Sequence, residues 1–109
     1  MRINIFGTGR SGTKAVQLYF SYLLAQKHGS VHINYEPYYY LNRHLSYLNY
    51  EGIEHHLKTP LITATKNELS NKHQRFLKTL NSSSHPVITK FIRGNGRIQA
   101  INEITQPDY

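Results

Sequence analysis

A glycine-rich turn set between an apolar strand and a helix constrains this chain more than any other feature. Residues Arg2 to Phe6 carry apolar Ile3, Ile5 and Phe6 and read as a short strand. The turn Gly7-Thr8-Gly9-Arg10-Ser11-Gly12-Thr13-Lys14 follows. A helical stretch then runs to about His28, in which Val16, Phe20, Leu23 and Leu24, with Tyr19 nearby, recur at helical spacing as an apolar stripe. Gly29 stands where a residue that ends a helix belongs. Val31-His32-Ile33-Asn34-Tyr35 alternates as a second strand. Strand, turn, helix and strand make a βαβ unit, which implies a parallel sheet and a right-handed crossover.

Glu36-Pro37 ends the second strand, and Tyr38-Tyr39-Tyr40-Leu41 is an aromatic run suited to stacking on a ligand or to burial at a domain edge. Residues 41–50 fit either a helix or a loop, and 51–60 have no clear period. Thr65-x-x-Glu68 has the spacing of a capping box. Behind it Leu69, His73, Phe76, Leu77 and Leu80 share one helical face, while Lys66, Lys72, Arg75 and Lys78 take the others. Asn81-Ser82-Ser83-Ser84 reads as a loop, and Pro86 introduces a third strand, Val87-Ile88-Thr89-Lys90-Phe91-Ile92. Gly94-Asn95-Gly96 turns the chain, and residues 97–105 are expected to form a short helix.

A length of 109 residues supports one domain at most. Without cysteine there is neither a disulfide framework nor a thiolate metal site. The seven histidines lack paired ligand spacing; His55 and His56, being adjacent, do not share a helix face and read as a surface loop. No apolar run approaches the ~20 residues of a membrane span. The first residues lead straight into the glycine turn without a signal-peptide pattern, so the expected setting is cytoplasmic.

Thirteen Lys and Arg against six Asp and Glu give a net charge of +7, which attracts anions. Nucleic acid, a nucleotide, or a sulfated or phosphorylated substrate all qualify. No RNP, zinc-finger or helix-turn-helix signature points to specific nucleic-acid binding. The glycine turn is the natural anion site. Free backbone N–H groups and the helix dipole favour negative charge there, and Arg10, Lys14 and the hydroxyls of Thr8, Ser11 and Thr13 add donors. Gly7-x-Gly9-x-x-Gly12 matches a dinucleotide fingerprint, with Glu36 placed to bind a ribose hydroxyl, as in a Rossmann-like oxidoreductase domain. A pyrophosphate held mainly by backbone does not need the turn's cations and hydroxyls. Gly7 and Gly12 also have Walker A separation, but Thr13 and Lys14 stand in reversed order and no Walker B strand ends in Asp.

Ile5-Phe6-Gly7-Thr8-Gly9-Arg10-Ser11-Gly12-Thr13-Lys14 also resembles the 5′-phosphosulfate loop of sulfotransferases that use 3′-phosphoadenosine 5′-phosphosulfate (PAPS). Arg10, Ser11, Gly12 and Thr13 match, and Lys14 replaces the last hydroxyl. Ile33-Asn34-Tyr35-Glu36-Pro37-Tyr38 is similar to the second strand and Glu-Pro-aromatic segment of bacterial members. Thr89-Lys90-Phe91-Ile92-Arg93-Gly94-Asn95-Gly96-Arg97 is similar to their Lys-Phe-x-Arg-x-Asn-Gly-Arg segment, which precedes a short helix and a Pro-Asp, here Pro107-Asp108.

The resemblance implies an α/β fold, a P-loop NTPase-like parallel sheet flanked by helices, with three strands present in an incomplete domain. Residues 1–109 would be the N-terminal portion, with the 3′-phosphate loop following Tyr109. It implies PAPS as sulfuryl donor, no metal, and a donor site made of Gly9, Arg10, Ser11, Gly12, Thr13 and Lys14. The family's base is a His or a Glu according to branch. Lys90-Phe91-Ile92 lacks the histidine of the Lys-Thr-His branch, so Glu36 is the expected base and Lys90 the group that stabilises the leaving phosphate or the sulfuryl. Arg93 and Arg97 are expected either to bind anionic substrate or nucleotide or to be surface charges. Residues 41–85 are largely unmatched, and with them the acceptor hydroxyl or amine is undefined.

Overall fold

A computed structural model describes residues 1–8, 11–37, 65–91 and 97–109. Its elements are β1 (Arg2–Phe6), α1 (Thr13–His28), β2 (His32–Tyr35), a 3₁₀ turn (Lys66–Glu68), α2 (Asn71–Leu80), β3 (Val87–Phe91) and α3 (Ile98–Thr105). The strands and helices of the sequence reading are present to within a few residues. Ile92 and the Gly94-Asn95-Gly96 turn lie outside the described residues.

The three strands are parallel and ordered β1-β3-β2. The last strand in sequence is therefore the central one, and all five of its residues are buried. A strand covered on both faces favours a continuous apolar run. Thr89 and Lys90 break that run, so each needs a polar partner. Along the outer edge of β1, Tyr109 N–H donates to Arg2 C=O (3.3 Å) and Asn4 N–H donates to Tyr109 C=O (2.8 Å), the pattern of a parallel bridge. The Asp108 carboxylate accepts from Arg2 N–H at 2.8 Å.

Alternation along the strands assigns side chains to two faces. On one, Phe6 stacks on Phe91 (centroids 5.3 Å apart), and Phe91 packs with Leu69, Leu77, Ala100 and Ile101 from the segments that carry α2 and α3. The same face carries a polar row in register across the sheet: Asn4, Thr89 and Asn34. Asn34 Nδ2 donates to Thr89 Oγ1 and to Leu80 C=O, both at 3.0 Å. Asn4 Nδ2 donates to Asn102 Oδ1 (3.0 Å) and Thr105 Oγ1 (2.9 Å), and Asn81 Nδ2 to Thr105 C=O (2.6 Å). The row thus pins the C-terminal ends of α2 and α3 to the sheet while satisfying its own polar atoms.

One local expectation is corrected. The Thr65-x-x-Glu68 spacing does not open α2. Leu69 N–H closes the 3₁₀ turn on Lys66 C=O, Leu69 is buried in the core, and the helix restarts with Ser70 as N-cap, its hydroxyl accepting from His73 N–H at 3.1 Å. Glu103 of α3 holds this turn. Its carboxylate accepts from Gln99 Nε2 and Lys66 N–H, bonds that keep it below the usual carboxylate range.

α1 does not dock by its apolar stripe. Its buried residues are Gln17, Ser21 and Leu24, whereas Val16, Tyr19, Phe20 and Leu23 are exposed. The docking face is turned by one residue, about 100°, from the apolar one. Gln17 accounts for this: Nε2 donates to Asn34 C=O (3.0 Å) and, more weakly, to Ile88 C=O (3.4 Å), anchoring the helix on the backbone of two strands. Phe20 and Leu23 instead line a groove of about 500 Å³ with Met1, Ile3, Ile5 and Tyr109. Identical deletions at neighbouring positions should therefore differ. Leu24→Ala is expected to cost about 2–4 kcal/mol and Leu23→Ala about 1 kcal/mol or less in urea denaturation. The opposite order would restore the face that periodicity suggests.

Candidate functional site

The carboxyl ends of the three strands meet at one edge, where Phe6 is in register with Phe91 and Tyr35 with Lys90. In open parallel sheets that edge is where ligands bind. The glycine turn leaves β1 here, and Gly7 N–H donates to Phe91 C=O at 3.3 Å, so the turn begins over the end of β3. Gly7 has no room for a side chain, because a Cβ would run into the Thr13 methyl group. Gly12 sits at φ 81°, the left-handed conformation that glycine takes without strain, and delivers the chain into α1. Ser11 Oγ donates to Thr8 C=O at 2.6 Å and braces the turn from within. No side chain caps α1 and its first turn holds no acidic residue. Its leading N–H groups and dipole are thus left for an anion.

Lys90 is the unusual residue of the edge. It is 2% exposed, and alternation turns it away from Phe91, toward the α1 face of the sheet. Its Nζ lies 2.8 Å from Glu36 Oε1. Burying an ammonium demands such a partner, yet a buried pair seldom adds net stability, so its presence asks for another reason. The Tyr35 ring packs against the same ammonium, 4.4 Å from Nζ to centroid, and Lys14 Nζ from α1 lies 5.9 Å from that centroid. Two cations from different elements thus share one aromatic ring.

Glu36 is held in a conformation few residues adopt. Its φ is 48°, although it precedes Pro37 and would ordinarily be extended. Its N–H donates to Lys90 C=O at 3.0 Å, which fixes the backbone while the side chain reaches Lys90 Nζ. Strain of this kind costs about 1–3 kcal/mol and concentrates at functional positions.

Of the residues singled out in the sequence, Ser11, Gly12, Thr13, Lys14, Glu36 and Lys90 are carried by elements that meet at this edge. Gly9, Arg10, Arg93, the Tyr38-Tyr39-Tyr40 run and His55-His56 lie outside the described residues. Arg97 is 1% exposed at the start of α3 and so is not a surface charge. The sequence marks Tyr35 only as the closing residue of a strand. Its signal was an aromatic at the last strand position, directly before the acidic residue. Among the described residues there is no cluster of three metal-ligating side chains, and no helix is long and apolar enough to cross a membrane.

Comparison with family models, curated proteins and solved structures returned no match. The edge itself brings the uncapped start of α1 together with a buried ammonium, Lys90, and its carboxylate partner, Glu36.

Proposed function

We propose that this chain carries the donor-binding sheet edge of a PAPS-dependent sulfotransferase with a P-loop-like sheet. The observation that carries the reading is the convergence of the glycine turn, Lys14, Glu36 and Lys90 on one sheet edge, with Lys90 Nζ 2.8 Å from Glu36 Oε1. The resemblance names these same residues. In this reading Arg10 and the turn backbone hold the 5′-phosphosulfate, and Lys14 adds a cation where the family has a hydroxyl. Lys90 stabilises the negative charge that builds on the bridging oxygen as the S–O bond to phosphate breaks. Glu36 accepts the proton from the acceptor hydroxyl or amine as the new bond to sulfur forms. The remainder of the rate comes from holding donor and acceptor in line, by analogy with phosphoryl transfer.

Two features favour this over a dinucleotide-binding oxidoreductase domain. In that fold's 3-2-1 strand order β1 lies beside β2, whereas here β3 lies between them. Glu36, which that reading assigns to a ribose hydroxyl, is committed to Lys90.

The test is thermal protection by 3′-phosphoadenosine 5′-phosphate (PAP). PAP at about 100 times Kd is expected to raise Tm by about 10 °C, the shift that ~2–3 kcal/mol of linkage gives a domain of this size. Arg10→Ala should lose most of that shift, and NAD(H) should give none. Equal shifts for both proteins, or protection by NAD(H) alone, would overturn the reading.

A further inference from the structure

We propose that Glu36 is an internal stand-in for the ligand's anion. It occupies Lys90 while the site is empty, and an arriving phosphate- or sulfate-bearing ligand exchanges for it and releases the carboxylate. The proposal deepens the sulfotransferase reading and, as the base-release step below, rests on it. The exchange itself requires only an anion at this edge.

The charge count at the edge is uneven. Lys90 and Lys14 bring two cations to one ring, and Glu36 supplies one carboxylate, directed at Lys90. Among the described residues Lys14 has no carboxylate partner. A ligand carrying two negative charges, seated at the uncapped start of α1, satisfies both ammonium groups and the free N–H donors together. Glu36 satisfies only one of them. Lys90 Nζ has three donor positions and can turn from one oxygen to another without moving its stem. The Tyr35 ring supports the ammonium in either state, because cation–π attraction depends on the ring's face and not on which oxygen the cation also meets.

Glu36 is equally suited to leave. Its backbone is fixed by the bond to Lys90 C=O, so releasing the side chain does not unravel β2. Its side chain is 12% exposed against 3% for Lys90, so the carboxylate lies on the open side of the pair. No covalent bond changes. One ion pair is exchanged for another, and the freed carboxylate becomes available to an acceptor proton only once the donor is seated. A site built this way does not offer its base to water in the absence of the donor.

The test is isothermal titration calorimetry of the whole chain with two probes, inorganic pyrophosphate and PAP. Removing the competitor should tighten binding. Glu36→Gln is expected to bind pyrophosphate about tenfold more tightly than wild type. Glu36→Asp keeps the charge but shortens its reach, and is expected to bind about threefold more tightly. Lys90→Met should lose binding. Glu36→Gln leaves Lys90 without a counter-charge, so its Tm should also climb more steeply with pyrophosphate than that of wild type. If that variant does not fold, Glu36→Asp decides. Unchanged or weaker affinity in the Glu36 variants, or no binding of either probe to any of them, overturns the exchange. Tightening toward pyrophosphate with no PAP binding keeps the exchange and sinks the sulfotransferase reading. PAP binding indifferent to Glu36 keeps that reading and sinks the exchange.

Discussion

Glu36→Gln is expected to destabilise the ligand-free chain by about 3–5 kcal/mol, and Lys90→Met by only about 1–3 kcal/mol. The asymmetry follows from depth. Lys90's side chain is 3% exposed and Glu36's 12%. Losing Glu36 strands an ammonium beneath the sheet edge against the face of the Tyr35 ring. Losing Lys90 strands a carboxylate that can turn toward water. The double variant Glu36→Gln/Lys90→Met should cost less than the two changes added together, because neither charge is then left alone. Urea denaturation of the four proteins closes the cycle. A larger loss for Lys90→Met than for Glu36→Gln would show that depth does not govern the pair. Additive losses would show that the two groups do not depend on each other.

This cycle also separates stability from use. A buried ion pair is a weak stabiliser compared with an apolar pair of the same volume, since both charges must be desolvated. The chain sets one member of the pair, Lys90, on the central strand and holds the other, Glu36, at positive φ just past the end of β2. If only folding mattered, methionine at position 90 and an extended residue at 36 would serve at least as well. The arrangement makes sense where an ammonium and a carboxylate are both needed at the same edge.

Much of this was legible in the residues, and the reasons are particular. β1, α1 and the turn between them were readable because glycine, apolar alternation and the Gly29 stop each report local backbone geometry. Lys90 was conspicuous because lysine is out of place in an apolar strand, and Glu36 because it closes the next strand's alternation. Their contact was not legible. It depends on β3 inserting between β1 and β2, and that order is a tertiary fact with no local signature. The rotation of α1 escaped for a related reason. Periodicity locates the apolar stripe of a helix, but here Gln17 found two strand carbonyls, and directional hydrogen bonds outweighed the stripe. The Asn4-Thr89-Asn34 row was likewise hidden, because three polar residues in separate segments give no sign that registry will align them. The start of α2 moved because a serine five positions on from Thr65 offered its hydroxyl after Leu69 had been drawn into the core.

The neighbouring position on the same strand should behave in the opposite way. Phe91→Ala is expected to cost about 3–5 kcal/mol, a large share of the stability of a small domain. The ring is 1% exposed, stacks on Phe6 and packs with Leu69, Leu77, Ala100 and Ile101, so alanine leaves a cavity that two helical segments and the sheet would have to collapse to fill. Phe6→Ala should cost less, because Phe6 is only partly buried at the margin of that cluster. Phe91→Leu refills most of the volume and should lose about 1–2 kcal/mol. The instructive comparison is with ligand binding. Successive strand residues point to opposite faces, so Phe91 belongs to the α2 and α3 side and Lys90 to the α1 side. What Phe91 gives the functional edge is its backbone carbonyl, which accepts from Gly7 N–H and which leucine retains. Phe91→Leu should therefore bind pyrophosphate within about twofold of wild type despite its lower stability, while Lys90→Met should fold and fail to bind. A loss of binding in Phe91→Leu while it remains folded would mean that the site is held by the aromatic core behind the sheet, and not by the turn, Tyr35 and the ion pair in front of it.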